Sequence, residues 1–391
     1  MRGFEPQPLP RFADLRDRLP APVFDEQPDW VRMYWRAWEL ACRNFHTPAP
    51  GSGFVKPFID AAFNENIFQW DTAFMTLFCN VAHGLVPGIG SLDNFYARQH
   101  ADGEICREIN RQTGADYPEW CNREGRSLFS RWGWNSKLPG LPDEREVPVV
   151  YRGRSVPEPP PVLTLDGLNH PILAWAEIES LQVTGDRQRL AGVYPPLVRY
   201  HAALAHYLRQ GNGLYITDWA SMDNSPRNPQ LRGGGCAIDT SSQMVLFARN
   251  LAAMAELLGR HDEAEAWRRE AVTLAETINR HLWDDRCGFY FDQRADGALA
   301  SVKTVAAFWT LLAGVADDRQ VDALVAQLQD PATFNRMHRV PTLAADEPHF
   351  DGAGGYWCGA VWAPTRGVCV ARKTLTASTT RRVRSTSQDR E

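Results

Sequence analysis

The sequence predicts an all-α fold, an α/α toroid built from successive helical hairpins. Two observations support this prediction. Apolar residues recur at helical spacing in paired segments, and in each pair a mostly apolar helix is followed by an amphipathic one. Alternation of the kind that forms sheets is limited to residues 283–297, where it predicts a short β-hairpin. Stacked helical hairpins of this type form a ring whose inner helices line a central funnel.

The predicted elements follow in chain order. Residues 1–29 are rich in Pro and charge and are expected to form an irregular arm. A helix is predicted at residues 30–45, and another is expected to begin after Trp70, with Asp71 as its N-cap. The later helical pairs are predicted at residues 171–183 with 187–209, 244–258 with 264–282, and 302–312 with 321–328.

Two segments depart from this pattern. Residues 130–164 are rich in Pro, Gly and Ser without periodicity, which indicates either disorder or a functional lid. Trp132 and Trp134 favour a lid or a pocket wall. Residues 366–391 are rich in Ser, Thr and Arg, a composition that does not bury an apolar face. We therefore expect one domain over residues 30–365, followed by an atypical and disordered tail.

Composition excludes several classes of function. The net charge of -5 is spread without long runs of one sign, which argues against nucleic acid and anionic membranes as partners. No segment has the length and apolarity of a signal peptide or a membrane span, so a cytoplasmic location is expected. The eight cysteines form no CxxC pair, which argues against a zinc module and a disulfide scaffold. No metal and no other cofactor is expected.

Aromatic residues suggest a carbohydrate ligand. The chain has 14 Trp residues, and several of them stand beside carboxylates or Gly and outside apolar runs. Flat rings stack on the apolar faces of sugars, but a large helical core would also account for this composition. Composition alone leaves both interpretations open.

The first candidate residues lie where helices are expected to begin. Gln69, Trp70 and Asp71 could bind a sugar ring and its hydroxyls, although Asp71 could act only as a helix cap and Trp70 only as core. Arg107 and Glu108 could face a ligand together or form a surface ion pair. Each of these pairs lies at a junction that a toroid would place at its rim.

A third candidate group opens the apolar segment at residues 171–183. Asn169 precedes this helix and could bind substrate. Glu177, within the helix, is a carboxylate that needs a partner in so apolar a segment. A core acid with a satisfied hydrogen-bonding partner is the other interpretation of Glu177.

The fourth candidate is the loop TDWASMDNSPRN, residues 217–228. It presents carboxylates beside an aromatic ring and a guanidinium, which suits polyhydroxylated ligands and proton transfer. We predict that Asp223 is a general acid in a sugar-cleaving site, with Asp218 as the alternative.

Other residues of this loop are predicted to bind the substrate. Trp219 could stack on a sugar ring, and Asn224 and Arg227 could donate hydrogen bonds to hydroxyl groups. The alternative is an Asx-type turn in which Arg227 pairs with an Asp for structure.

Four motifs together resemble the trehalase-like glycosidases of the six-hairpin (α/α)6 clan, which includes glycoside hydrolase families 37 and 63 and mannosylglycerate hydrolases. NENIFQWDTAF resembles the first trehalase signature, and GYWCGAVWAP resembles the second. WASMDNSPR looks like the segment that carries the catalytic acid, and LWDDRCGFYFD is typical of the clan. The motifs occur in the family's order between residues 30 and 365.

The resemblance implies an inverting glycoside hydrolase that acts on a small α-linked glucoside or mannoside, of trehalase, α-glucosidase or mannosylglycerate hydrolase type. Asp223 matches the general acid of the family, and Trp70 and Asp71 match sugar-binding residues. Trp357 and Trp362 match the aromatic lining that follows a Gly-rich turn. A small carbohydrate is the implied partner.

The chain also departs from the family. Members supply a general base Glu beyond the Trp-x-Pro signature, whereas here the only Glu after Thr365 is Glu391. We therefore expect a toroid that is incomplete at its C-terminus, and the alternative hypothesis is a catalytically dead carbohydrate-binding or remnant protein. An epimerase or a terpene cyclase is disfavoured because His residues are scattered and no DDxxD motif is present.

Overall fold

The structure is a computed structural model that describes residues 8–116, 170–217, 222–231 and 234–363, and the backbone of short strands at 121–122, 146–147 and 162–164. Apart from two of these strands, the predicted lid at residues 130–164 lies outside the described residues. The predicted tail at residues 366–391 lies outside them as well. Asn169 and Trp219 also fall outside the described ranges.

Helices dominate the described residues, which confirms the all-α prediction. They are α1 (Phe12–Leu15), α2 (Pro28–Arg43), α3 (Gln69–Cys79), α4 (Asp93–Ala97), α5 (Leu173–Thr184), α6 (Arg187–Leu208), α7 (Asn228–Leu231), α8 (Ile238–Leu257), α9 (His261–Leu282), α10 (Trp309–Ala313) and α11 (Asp318–Gln329). Short 3-10 turns lie at Arg16–Arg18, Asn80–Ala82, Ile89–Leu92, Val305–Phe308 and Tyr356–Cys358. In the part of the chain described, none of the helices combines the length and apolar character that crossing a membrane requires.

The strands are short and form small separate sheets. They are β1 (Phe45–His46), β2 (Phe58–Ile59), β3 (Asn66–Phe68), β4 (Glu108–Asn110), β5 (Cys121–Asn122), β6 (Glu146–Val147), β7 (Val162–Thr164), β8 (Trp283–Asp284) and β9 (Phe289–Tyr290). β1 pairs with β2, β3 with β4, β6 with β7 and β8 with β9, all antiparallel. The β8–β9 hairpin was predicted from the alternation at residues 283–297, whereas the β3–β4 ladder was not.

The chain forms two compact units. The first contains residues from the ranges 1–121, 167–206 and 250–266, and the second contains residues from 122–166, 207–249 and 267–391. Helices α6, α8 and α9 each contribute residues to both units.

The N-terminal arm is more ordered than its composition predicts. Instead of an irregular segment, it contains α1 and the 3-10 turn that follows. Leu15 and Leu19 are buried in a core cluster with Trp38 of α2 and Ile59 of β2. An apolar residue on each side of the turn thus anchors the arm to α2, because burial of a Leu side chain stabilises a fold by about 1.5–3 kcal/mol.

Helix α3 begins three residues earlier than predicted. Phe68 occupies the N-cap position and makes no capping bond through its side chain, and Asp71 lies within the first turn. The prediction that Asp71 is the N-cap is therefore wrong. The reason is that β4 sets this boundary, since the Gln69 amide donates a hydrogen bond to the Arg107 carbonyl at 2.9 Å directly after the ladder ends.

The later helices follow the predicted periodicity closely. The apolar stripes predicted at residues 244–258 and 264–282 lie on α8 and α9, and their core-facing members, such as Met244, Leu251 and Ile278, have almost no exposed surface. Helix α11 begins with a capping box, in which Asp317 accepts from the Gln320 amide and the Gln320 side chain accepts from the Asp317 amide.

Candidate functional site

The first group of candidate residues lies in the first unit and is assembled by the β3–β4 ladder. Phe68 pairs with Glu108 at the end of this ladder, so Gln69, Trp70 and Asp71 start α3 directly beside Arg107 and Glu108. The two sequence segments are about forty residues apart, yet backbone hydrogen bonds bring them together. Two of the four predicted groups thus form one cluster.

Glu108 is held within this cluster by two neighbours. Its side chain is 3% exposed, Arg107 donates a hydrogen bond to its Oε1, and Asn66 Nδ2 donates to its Oε2 at 3.1 Å. The ion pair that the sequence left as an alternative for Arg107 and Glu108 is therefore present. Because it is half-buried, Arg107 is the member of the pair that solvent still reaches.

Asp71 combines an exposed side chain with a strongly perturbed acidity. Desolvation by the surrounding protein, with a smaller contribution from the like charge of Glu108, raises the pKa of Asp71 to about 6. The opposite charge of Arg107 partly offsets this shift. A carboxyl group that is accessible and titrates near neutrality can both accept and donate hydrogen bonds to a polyhydroxylated ligand.

Trp70 lies beside the start of α5. Its ring centroid is 4.4 Å from that of His170 and 4.8 Å from that of Phe74. The ring is half-buried, so part of its surface is packed in the protein and part is accessible. This intermediate state is compatible with both roles that the sequence allowed, core and sugar platform.

Gln69 does not have the accessibility of a ligand-binding residue. Its side chain is 0% exposed, and its Oε1 accepts a hydrogen bond of 3.4 Å from the Tyr200 hydroxyl. The side chain makes an internal contact between α3 and α6, and its direct contact with substrate stays a prediction.

Glu177 is a core acid. Arg189 donates to both of its oxygens, at 2.7 and 2.8 Å, and the Tyr96 hydroxyl donates to Oε1 at 2.9 Å. Burial raises the pKa of Glu177, and the Arg189 charge and these hydrogen bonds oppose the shift. These contacts support the second interpretation of Glu177, a core acid with hydrogen-bonding partners.

The second group of candidate residues lies in the second unit, around Asp223. This residue is half-buried in a turn in which the Ser225 amide donates to the Met222 carbonyl at 2.9 Å. Asn228, at the start of α7, donates from Nδ2 to the carbonyls of Met222 and Asp223 at 2.9 and 3.1 Å. The backbone around the predicted acid is thus held by the Asn228 side chain and by a backbone hydrogen bond of its own loop.

Asn224 joins this loop to the turn at residues 351–359. Its Nδ2 donates to the Gly355 carbonyl at 3.1 Å, and its Oδ1 accepts from the Trp357 amide at 2.9 Å. The Cys358 thiol also donates to the Asn224 carbonyl at 3.3 Å. With both ends of its amide engaged in protein contacts, Asn224 has the geometry of a connecting residue.

Tyr356 is brought to the predicted acid by this connection. Its hydroxyl donates a hydrogen bond to Asp223 Oδ2, and its ring is 46% exposed. Tyr356 has a positive φ of 60°, a conformation that costs a residue with a side chain about 1–2 kcal/mol. The preceding Gly355 also has positive φ, and a Cβ there would lie 2.7 Å from the Cβ of Asp351, so only glycine fits.

Trp357 of this turn stacks on Trp362, which follows the turn. Their ring centroids are 5.1 Å apart with an interplanar angle of 11°, and the Tyr356 ring meets Trp362 edge-on at 5.4 Å. Each indole thus covers one face of the other. Trp357 is buried and Trp362 is half-buried, so within this aromatic group Tyr356 and Trp362 present the accessible surface.

Arg227 is fully buried and holds two carboxylates. Its guanidinium donates to Asp239 at 2.7 and 3.0 Å and to Asp292 at 2.7 and 2.8 Å. Burial alone would lower the pKa of Arg227, but the two carboxylates more than offset it and the pKa stands above its usual value. With 0% exposure, Arg227 matches the alternative in which it pairs with Asp for structure, and its contact with substrate stays a prediction.

The sequence did not identify three residues of this second cluster. Asp239 and Asp292 carry no local signal of their role, since they lie 12 and 65 residues from Arg227. Tyr356 stands inside a recognised motif, and the two glycines before it were a signal for an unusual backbone at that point. Asn169 and Trp219 stay predictions because they lie outside the described residues.

Comparison with known proteins gives these clusters a context. The mannosylglycerate hydrolase of Rubrobacter radiotolerans is 34% identical over 126 residues, which cover 31% of this chain and 28% of that protein. An uncharacterised protein of Borreliella burgdorferi is 26% identical over 199 residues, or 50% of this chain and 41% of that protein. The chain thus spans less than half the length of these curated relatives.

Solved structures show the fold. A family 63 mannosylglycerate hydrolase from Thermus thermophilus, in complex with glucose, aligns over 90% of this chain and 89% of its own, with a TM-score of 0.60 and 20% identity. The six-hairpin fold predicted from the sequence is therefore confirmed.

The family is set by a match to a family model that includes the Asp223 loop and the Trp357 turn. The model of the mannosylglycerate hydrolase MGH1-like glycoside hydrolase domain matches residues 161–371. This range contains every contact described for the second cluster. Since it covers more than half of the sequence, the chain belongs to the MGH1-like glycoside hydrolase family.

Proposed function

We propose that this chain is an inverting glycoside hydrolase that cleaves a small α-linked glucoside or mannoside, with Asp223 as the general acid. The observation that carries the proposal is the setting of Asp223, whose carboxyl group accepts a hydrogen bond from Tyr356, and the accessible Tyr356 ring in turn packs against Trp362. A proton donor next to aromatic surface suits cleavage of a glycosidic bond, because the acid protonates the leaving oxygen and an aromatic ring packs on the apolar face of a sugar. Membership of the family supports this reading.

The proposed chemistry follows from the carboxyl group. Asp223 in its protonated form gives a proton to the glycosidic oxygen, and the bond from that oxygen to the anomeric carbon breaks with its electron pair on the oxygen. A water molecule attacks the anomeric carbon from the opposite face and gives a proton to a second carboxylate, which inverting enzymes hold about 6.5–9.5 Å from the acid and to which we assign no residue of this chain. We propose that Trp70 and Asp71 contribute to sugar binding.

Hydrolysis is tested with mannosylglycerate, glucosylglycerate, trehalose, kojibiose and nigerose. Sugar release is measured for the wild-type chain and for Asp223→Asn, and proton NMR identifies the anomer first released. We expect Asp223→Asn to lower kcat by about 10²–10⁴-fold, the contribution of one general acid. The matched control is Asp296→Asn, which removes an exposed carboxylate of the same unit and should leave kcat unchanged.

Three results would count against the proposal. If the activity survives Asp223→Asn, Asp223 is not the general acid. If the sugar is first released with the same anomeric configuration as in the substrate, the mechanism is not inverting. Calorimetric binding of these glycosides without any sugar release would instead favour a carbohydrate-binding protein that does not hydrolyse its ligand.

A further inference from the structure

Tyr356 donates a hydrogen bond to the predicted acid, and the reaction proposed above assigns no role to this contact. Its hydroxyl donates to one specific oxygen of Asp223, Oδ2. The contact joins two segments that are 133 residues apart, and it depends on a left-handed backbone at Tyr356. Such a conformation is costly for a residue with a side chain, and it persists only where neighbouring contacts hold it.

Those neighbouring contacts come from Asn224. The Asn224 amide binds the Gly355 carbonyl and the Trp357 amide, the peptide groups on either side of Tyr356. The residue after the acid therefore fixes the backbone of the residue that binds the acid. Two connections therefore hold the Tyr356 phenol beside the Asp223 carboxyl group: their own hydrogen bond and the contacts of Asn224.

We propose that Tyr356 is a positioning residue that holds Asp223 through Oδ2, so that the proton given to the glycosidic oxygen is carried on Oδ1. This inference rests on the proposed role of Asp223. A carboxylic acid carries its proton on one oxygen, and an oxygen that accepts a hydrogen bond from a phenol is the poorer place for it. The phenol thereby selects which oxygen faces the bond to be broken.

The same hydrogen bond changes in strength during the reaction. When the Oδ1 proton moves to the glycosidic oxygen, Asp223 becomes a carboxylate, and a hydrogen bond to a charged acceptor is about twice as strong as one to a neutral acceptor. The interaction thus favours the transition state over the bound substrate, which is the condition for a contribution to kcat. The phenol keeps its proton throughout, and Asp223 regains its proton from solvent after the sugar leaves.

The two segments that make this contact carry few other charged side chains. Residues 222–231 carry one other charged side chain, Arg227, which is bound to two buried carboxylates. Residues 351–359 carry Asp351 at the start of the turn. Both are unchanged when the phenol is replaced by a phenyl ring.

The test is Tyr356→Phe in the full chain, which removes one oxygen and keeps the ring. Two substrate types are compared: a glycoside from the panel above, whose leaving oxygen needs a proton, and α-glucosyl or α-mannosyl fluoride, whose leaving group does not. We expect kcat on the glycoside to fall about ten- to hundredfold, the range for a hydrogen bond to a charged group, with KM within about threefold. Turnover of the fluoride should change by less than about threefold.

A second readout does not require turnover. The carboxyl carbons of aspartate are labelled with 13C, the Asp223 signal is assigned with Asp223→Asn, and its titration is followed by NMR. Removal of a hydrogen bond to the ionised form should raise the measured pKa of Asp223 by about one unit, and the alkaline limb of the kcat/KM profile should move upward with it.

The outcomes distinguish a failure of the role proposed for Tyr356 from a failure of the assignment of Asp223 as the acid. Equal losses on glycoside and fluoride with an unchanged Asp223 titration would make Tyr356 a structural anchor and overturn the inference. If Asp223→Asn keeps full activity on the glycoside, the acid assignment fails, and Tyr356 loses its proposed role with it. A selective loss on the glycoside together with a raised Asp223 pKa supports both.

Discussion

Replacing Arg227 with methionine removes the guanidinium that joins Asp239 and Asp292 and leaves a side chain of similar length. All three residues are buried, at 0%, 1% and 2% exposure, and four N–H···O hydrogen bonds are lost. Each carboxylate keeps at least one backbone donor, the Ile238 amide for Asp292 and the Thr240 amide for Asp239. Removal of one partner from a buried ion pair costs about 3–5 kcal/mol, and we expect a value in this range for the free energy of unfolding.

The loss should depend on pH, with a sign set by Asp292. Burial raises the pKa of Asp292, and the Arg227 charge opposes that shift, so loss of the guanidinium raises the pKa further. A carboxyl group whose pKa is higher in the folded than in the unfolded state favours folding below its unfolded pKa. That contribution is lost as the pH rises through the folded value. The deficit of Arg227→Met should therefore be larger at pH 7 than at pH 5.

The assay is urea unfolding followed by tryptophan fluorescence at both pH values. Arg294→Met is the matched control, since Arg294 is paired with Asp296 on the surface and should contribute no measurable stability. Arg227→Lys keeps the charge but not the planar fork that binds two carboxylates, so it should recover only part of the loss. A loss below about 1 kcal/mol at pH 7, as for a surface pair, would refute the reasoning, and so would a deficit that grows at low pH.

Two further predictions concern the two clusters. Asn224→Ala should lower the free energy of unfolding by about 1–3 kcal/mol, because it leaves the Gly355 carbonyl and the Trp357 amide without the Asn224 side chain as partner. Hydrogen exchange at the Trp357 amide should accelerate, and unchanged protection of this amide would contradict the connection. Since the pKa of Asp71 is raised to about 6, the wild-type chain should lose stability relative to Asp71→Asn as pH rises from about 4 to about 6. Solvent reaches this side chain, so we expect a change below about 1 kcal/mol, and a difference between the two chains that does not vary with pH in urea unfolding would argue against the perturbed carboxyl.

The helices could be predicted because their signal is local. On α8 and α9 the apolar residues recur with the helical period, and burial of residues such as Leu251 and Ile278 is a direct consequence of that spacing. The β3–β4 ladder could not be predicted, because a three-residue strand has too little alternation and is specified by its partner. The start of α3 was misplaced for the same reason.

The sequence predicted which types of residue form the site, but it did not predict the role of each residue. A loop with Asp223, Asn224 and Arg227 indicated polar chemistry, but only the folded chain shows that Asn224 binds the backbone on both sides of Tyr356 and that Arg227 faces inward. Long-range pairing decides between a guanidinium that binds a ligand and one that binds the protein. No spacing rule links Arg227 to a carboxylate 65 residues further along the chain.

The contact between Asp223 and Tyr356 also has a consequence for the order of folding. Its two residues are separated by 133 positions, and α8, α9, the β8–β9 hairpin, α10 and α11 lie between them. Local helical contacts form in microseconds, whereas a contact of such sequence separation must wait until the intervening chain has been drawn together. The hydrogen bond between tyrosine and acid should thus be among the last native contacts to form in this unit, and Tyr356→Phe should speed unfolding while leaving the folding rate almost unchanged.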